Sequence, residues 1–147
     1  MDKWKDIKID DETMWPNTGL VKLDEAHKDD RGYIQSLVNF PMKNLSLISS
    51  KKGAVRSNHY HITDWHYMYI VYGAVDYYYR KHGSDEQPKL EKCIANDLVF
   101  TPPMEDHACI FTQDTLLVVA SRNPRDQETY ESDVVRIQLI DPEETNA

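Results

Sequence analysis

From about residue 20 onward the chain is built of short runs in which apolar and polar residues alternate with a period of two, each closed by turn-forming residues. These runs predict strands at Leu20 to Leu23, Tyr33 to Val38, Asn44 to Ser49, Ala54 to His61, His66 to Tyr72 and Ala74 to Arg80. Further strands are predicted at Lys89 to Ile94, Leu98 to Thr101, His107 to Thr112, Thr115 to Ser121 and Val134 to Leu139. The punctuation agrees with this reading. Lys51-Lys52-Gly53 separates two runs, and Gly73 stands between two tyrosine-rich runs where a hairpin needs positive φ. Pro102-Pro103 cannot sit inside a central strand and so marks a strand end or rim. No stretch carries the repeat of an amphipathic helix, and the polar residues 123–133 predict a long loop or one helical turn. The pattern is that of an all-β sandwich or barrel.

Length fits this picture: 147 residues make one domain, long enough to bury a core without disulfide or metal staples. Residues 1–19 are polar, with Trp4 and Trp15 scattered among them, and form an arm or edge strand. Residues 20–140 are the domain and 141–147 a polar tail. The formal charge of -8 argues against a nucleic-acid or anionic-membrane partner, both of which need a basic surface. The densest basic group is Lys51, Lys52 and Arg56. No apolar run reaches transmembrane length and the N-terminus lacks the apolar core of a signal peptide, which points to a cytoplasmic protein. Cys93 and Cys109 do not form a metal-type pair and read as buried free thiols.

The candidate chemistry lies in four of the six histidines. His59 and His61 are two apart on a predicted strand and therefore share a face. His66 opens the next strand and His107 follows the proline break. Two ligands from one strand and one each from two others is how a barrel places a metal on rigid elements. Imidazole suits one divalent ion such as Zn, Fe, Ni or Mn, and neutral ligands leave the ion's charge free for Lewis-acid work. An isolated His-x-His pair is also what two solvent-facing edge histidines look like.

The spacing Gly53-x5-His59-x-His61-x4-His66-x6-Gly73, followed by Asn96-x5-Pro102-x4-His107, resembles the two motifs of the cupin superfamily, G-x5-H-x-H-x3,4-E-x6-G and G-x5-P-x-G-x2-H-x3-N. The resemblance implies a cupin, a double-stranded β-helix or jelly-roll barrel in a single domain. Four positions depart from it: His66 stands where the motif has Glu, Asn96 and Met104 where it has Gly, and Phe111 where it has Asn. A narrower likeness links Arg56-Ser57-Asn58-His59-Tyr60-His61 and Asp30-Arg31-Gly32-Tyr33 to nucleotide-sugar epimerases and ketoisomerases of the dTDP-4-dehydrorhamnose 3,5-epimerase type. That implies a carbohydrate substrate, and the cupin resemblance implies a homodimer formed by exchanging or adding N-terminal strands. In the metal-free members of that type the residue matching His59 is a base. A ligated His59 cannot also be one, and the presence of His61, His66 and His107 favours ligation.

The remaining site candidates follow from this choice. Tyr67, Tyr69 and Tyr130 are candidate acid/base groups. Arg56 and Lys52 are candidate phosphate contacts, and Trp65 a ring to stack on a sugar or base. Along the strand His66 should share a face with Met68 and Ile70. Three functions stay open: a metal-dependent sugar epimerase or isomerase, an Fe- or Ni-dependent dioxygenase, and a non-catalytic sugar- or metal-binding module.

Overall fold

A computed structural model describes residues 7–141. Its strands are β1 (Gly19–Leu20), β2 (His27–Asp29), β3 (Gly32–Ile34), β4 (Asn44–Ser50), β5 (Val55–His61) and β6 (His66–Tyr72). They continue as β7 (Ala74–Lys81), β8 (Lys89–Ile94), β9 (Leu98–Thr101), β10 (Glu105–Phe111), β11 (Thr115–Ser121) and β12 (Val134–Arg136), with an α-helix, α1 (Gln127–Asp133), before the last and a short 3-10 helix at Glu12–Met14. Two five-stranded antiparallel sheets form, in the orders β1-β9-β6-β11-β4 and β12-β5-β10-β7-β8, while β2 and β3 make a hairpin of their own.

The period-two alternation places one face of each sheet inward. Met68 and Ile70 of β6 and Leu117 and Val119 of β11 meet Val75 and Tyr77 of β7 and Cys109 and Phe111 of β10 in one buried cluster. Strand β10 is buried at every position, because its outer residues Ala108 and Ile110 are covered by Leu139 and Ile140 from the C-terminal segment. A second apolar layer covers the outer face of the first sheet. There Trp15, Val21, Leu23, Val38 and Phe40 lie on Trp65, Tyr67, Leu98, Phe100 and Ala120. A sheet with both faces covered loses the alternation that would tell inside from outside.

Three expected strands are shorter than the sequence predicts. Pairing is confined to Gly19–Leu20, Gly32–Ile34 and Val134–Arg136, because the residues that follow leave the ladder to pack as irregular cover. The loop or single turn expected over 123–133 is a loop followed by helix α1. This helix lacks an apolar stripe: its only buried residue is Asp133, and it starts at an N-cap in which Asp126 accepts from the Thr129 amide. The start of the predicted arm, Trp4 included, and the tail beyond 141 lie outside the described residues.

Backbone geometry explains how the motif survives its missing glycines. Asn96 and Met104 stand where the cupin motif has Gly, and both have positive φ, at 75° and 60°, as does Ser57 at 73°. A side chain held in this left-handed region costs about 1 kcal/mol at each position. Gly73 is different. A Cβ there would lie 2.2 Å from Thr115 Oγ1 and 2.6 Å from the Asp114 carbonyl, so only glycine fits the β6–β7 turn.

Candidate metal centre

His59 and His107 face each other directly in the β5–β10 ladder. The register then slips between His107 and Ala108, so that Asn58 is an extra residue in β5. Ser57 and Asn58 both have positive φ at this bulge. Asn58 Oδ1 accepts from the amides of Leu139 and Ile140 at 3.1 and 3.2 Å, which ties the bulge to the C-terminal cover. The bend lets Arg56 and Ser57, as well as His59 and His61, line a cavity of about 240 Å³ between the sheets. Its inner wall is apolar, from Ile48, Val55, Met68, Phe111, Leu117 and Val119. Tyr77 and Cys109 add to that wall, and His66, Arg125 and Tyr130 line it nearer the histidines.

The four imidazoles converge. Ring centres are 4.7 Å apart for His59–His61 and His59–His107, 5.4 Å for His66–His107, 5.7 Å for His61–His107 and 5.8 Å for His61–His66. Two tautomers are fixed by partners that only accept. His107 Nδ1 lies 2.9 Å from the Glu105 carbonyl, so it carries the hydrogen and Nε2 holds a lone pair. That Nε2 is buried and has no protein partner. His61 Nδ1 lies 3.3 Å from Asp133 Oδ2, which leaves its Nε2 likewise unprotonated. Burial acts to raise the Asp133 pKa. The Thr63 hydroxyl and amide, at 2.6 and 2.8 Å, and the Asp64 amide, at 3.0 Å, nevertheless hold it below the ordinary carboxylate value. A carboxylate that orients a histidine in this way is the usual outer partner of a metal ligand.

The rings are neutral. Burial, then the neighbouring His107 and His61, lowers the His59 pKa to about 2. Burial lowers His107 to about 3 against the pull of the Glu105 carbonyl, and His61 and His66 shift the same way, burial first. Neutral rings are the protonation state a metal needs, and His61 and His107 leave Nε2 with a lone pair. The spacing of three rings fits an ion as well: ligand atoms of His59, His61 and His107 lie within 4.8 Å of one another, whereas His66 groups with His61 and Asp64. An imidazole bound at about 2.1 Å puts its ring centre about 3.2 Å from the ion, so adjacent rings stand about 4.5 Å apart at right angles and about 5.2 Å at the tetrahedral angle.

Of the residues singled out from sequence, the structure brings His59, His61, His66, Arg56 and Tyr130 to the cavity, with His107 closed beneath it. Arg56 Nε donates to Ser50 Oγ at 2.7 Å and its Nη2 to the Ser49 carbonyl at 2.9 Å. Tyr130 stands with its ring centre 5.9 Å from that of His61, and the Arg125 guanidinium lies 5.4 Å from the Tyr130 ring. Four candidates do not reach the cavity. Tyr67 and Tyr69 pair across β6 with Phe100 and Leu98 and point to the outer layer, opposite to Met68 and Ile70. Burial pushes the Tyr67 hydroxyl up to about 12, and the Tyr69 hydroxyl donates to Asn96 Oδ1 at 2.7 Å. Trp65 has no exposed surface, and its indole N–H donates to the Ile9 carbonyl at 2.9 Å. Lys52 is exposed in the β4–β5 turn, where its amide donates to Asp114. Sequence reasoning missed Asp133 and Asp64, because acidic residues in a polar stretch carry no period.

Behind His107 lies a second polar set. Glu105 accepts from the Thr18 hydroxyl and, at 3.1 Å, from Tyr77, whose hydroxyl also meets Thr101 Oγ1 at 2.5 Å. Burial, opposed by those donors, raises the Glu105 pKa from 4.5 to about 7. The folded chain therefore binds a proton that the unfolded chain releases, and its stability falls as pH rises from 4.5 through 7. Glu105→Gln is expected to match the wild type near pH 4 and to be more stable by about 1–3 kcal/mol at pH 8. Urea unfolding at both pH values checks this, and an equal loss at both would contradict it.

No family model matches this sequence, and none of the curated proteins matches it. Solved structures do. The 3,4-ketoisomerase QdtA of Thermoanaerobacterium thermosaccharolyticum, in complex with TDP, superposes with a TM-score of 0.65 at 22% identity, over 84% of this chain and 89% of that one. The 3'-monoepimerase ChmJ of Streptomyces bikiniensis, in complex with dTDP-quinovose, gives 0.69 at 20% identity, over 88% and 76%. The capsular polysaccharide assembling protein CapF of Staphylococcus aureus gives 0.57 at 20%, over 80% of this chain and 34% of that one. Two facing antiparallel sheets with the histidines between them define this chain as a cupin in fold. At 20–22% identity the likeness to these structures is one of fold. No helix of the described residues is long and apolar enough to cross a membrane.

Proposed function

We propose that this protein is a metal-dependent isomerase or epimerase that moves a proton beside the carbonyl of a nucleotide-linked sugar. The observation that carries the reading is the convergence of four neutral imidazoles, one with a buried unpartnered Nε2, on a cavity whose mouth holds Tyr130 and Arg125. His59, His61, His66 and His107 would hold the ion. When bound, it supplies a fixed positive charge that favours the enolate form of a ketone.

The protein's own groups divide the remaining work. With the histidines ligated, proton transfer falls to a hydroxyl or thiol of the cavity wall. The Tyr77 hydroxyl is engaged by Thr101 and Glu105, and burial pushes the Cys109 thiol up to about 12. The Ser57 hydroxyl is engaged with the Cys109 thiol, and Tyr130, beside His61 and His59, is the group we assign to the proton. Arg125 and Arg56 bring positive charge to the cavity lining, where a diphosphate can meet them. The apolar inner wall excludes water from the carbon that exchanges.

The test is incubation of the metal-loaded protein with nucleotide-sugar 4-ketones in heavy water. Deuterium should enter at a carbon next to the ketone, and Tyr130→Phe should slow that entry about 100-fold without changing the metal content. Absence of exchange in the wild type, with oxygen consumed instead, would move the protein to the oxygenating cupins. Ligand binding without either reaction would make it a binding module.

A further inference from the structure

We propose that Asp133 is a positioning residue that couples the histidine centre to Tyr130: through its carboxylate, occupancy of the centre holds helix α1 against the barrel and fixes the tyrosine at the cavity. The inference rests on the metal reading above and assigns that site its regulation.

Helix α1 cannot hold itself in place. Seven residues are too few for a stable helix in water, and its only buried residue is Asp133. Among the described residues, the hydrogen bonds from α1 to the rest of the barrel run from Asp133, apart from the exposed Glu131–Arg136 pair. The Asp133 carbonyl accepts from the Ile62 amide at 3.0 Å. Its Oδ1 accepts from the Thr63 amide and hydroxyl, and its Oδ2 from the Asp64 amide. The remaining contact of Oδ2 is His61 Nδ1, at 3.3 Å. One carboxylate thus ties the helix both to the β5–β6 turn and to a residue of the centre.

His61 stands between two groups of one helical turn. Tyr130 and Asp133 are three residues apart, which puts them on the same side of α1. The Tyr130 ring centre lies 5.9 Å from that of His61 and 6.4 Å from that of His59. Whatever tightens the bond between Asp133 and His61 therefore also fixes Tyr130. With Nε2 ligated, the His61 ring is a stronger Nδ1–H donor to the carboxylate. The effect is reciprocal. A docked Asp133 makes His61 the better ligand, and the factor gained in ion affinity equals the factor by which a bound ion suppresses opening of the helix. Proton transfer by Tyr130 is thereby withheld until the centre that polarises the carbonyl is loaded.

The experiment strips metal from the whole protein, titrates Zn²⁺, Ni²⁺ and Mn²⁺ separately, and follows amide hydrogen exchange of residues 127–133 with and without the ion bound most tightly. In the wild type the ion should slow that exchange about 10- to 100-fold. Asp133→Asn offers one acceptor where the carboxylate has two. It should bind the ion about 10- to 100-fold more weakly, and at saturation the ion should slow its exchange less than about 3-fold. A variant whose α1 exchanges faster by the same factor with and without ion would make Asp133 structural, and a variant with undiminished ion affinity would uncouple it from the centre; both outcomes overturn the proposal. Should the variant not fold, the wild type alone decides, because a loaded wild type with unslowed exchange also overturns it. A wild type that takes up none of the three ions defeats the metal reading itself, whereas uptake without slowing defeats only the coupling.

Discussion

His107→Leu should lose at least about 100-fold in affinity for a divalent ion and about 10³-fold in turnover, yet should fold at least as stably as the wild type when both are metal-free. The reason is the state of its ring. His107 is 1% exposed, its Nδ1 hydrogen goes to the Glu105 carbonyl, and its Nε2 is buried with nothing to bond. A buried acceptor left unpaired costs about 1–3 kcal/mol. Leucine removes that acceptor and also the Nδ1 bond, so the two changes offset. An ion inverts the balance, because binding only to the folded wild type raises its stability by mass action. The measurement is a pair of urea titrations, with chelator and with excess metal, alongside metal content and turnover. Wild type and variant should separate only with metal present. A variant that keeps its metal, or loses several kcal/mol in chelator, would show that His107 serves packing rather than ligation.

The same residues show what was legible in the chain. A period of two put His59 and His61 on one face, and the ladder then sets His107 opposite His59. Motif spacing fixed where His66 and His107 fall. Parity also held the evidence against two of the tyrosines. His66, Met68 and Ile70 line the interior, so Tyr67 and Tyr69 had to face outward. What parity could not reveal was that the outer face is dry. Residues 15–40 cover it, and nothing periodic in them says so. The helix that carries Tyr130 and Asp133 was legible only as one alternative, a single turn, for a related reason. Its seven residues are held by an N-cap and by contacts of Asp133 rather than by an apolar stripe. Helix contacts of that kind are specified by tertiary partners distant in sequence, Thr63 and Asp64 in this case. The lost glycines are the reverse case. Asn96 and Met104 look like broken motif positions, but their backbone keeps the left-handed turn.

Trp65→Ala should cost about 3–5 kcal/mol of stability and leave the substrate KM of the folded fraction unchanged. From sequence, a tryptophan beside a histidine ligand reads as a platform for a sugar or base. The structure gives it another task. Trp65 is fully buried, its ring meets Phe40 edge-on at 5.3 Å and Tyr67 at 5.6 Å, and its N–H holds the Ile9 carbonyl. It pins the N-terminal cover and the Phe40 segment onto the outer face of β6, on the far side of the sheet from the cavity. Alanine leaves a large void and strands the Ile9 carbonyl, so both the packing and the cover suffer. His66 is the next residue, so a loosened β6 will also weaken an ion held at the proposed centre, but only in proportion to the population that opens. Urea unfolding gives the stability, and turnover well below the unfolding midpoint gives the KM. If the midpoint hardly moved while KM rose tenfold, Trp65 would be touching substrate, and the outer layer would have to be part of the binding surface. If the midpoint falls and KM holds, the division of labour across β6 stands: chemistry on the face of His66, Met68 and Ile70, and cohesion on the face of Tyr67 and Tyr69.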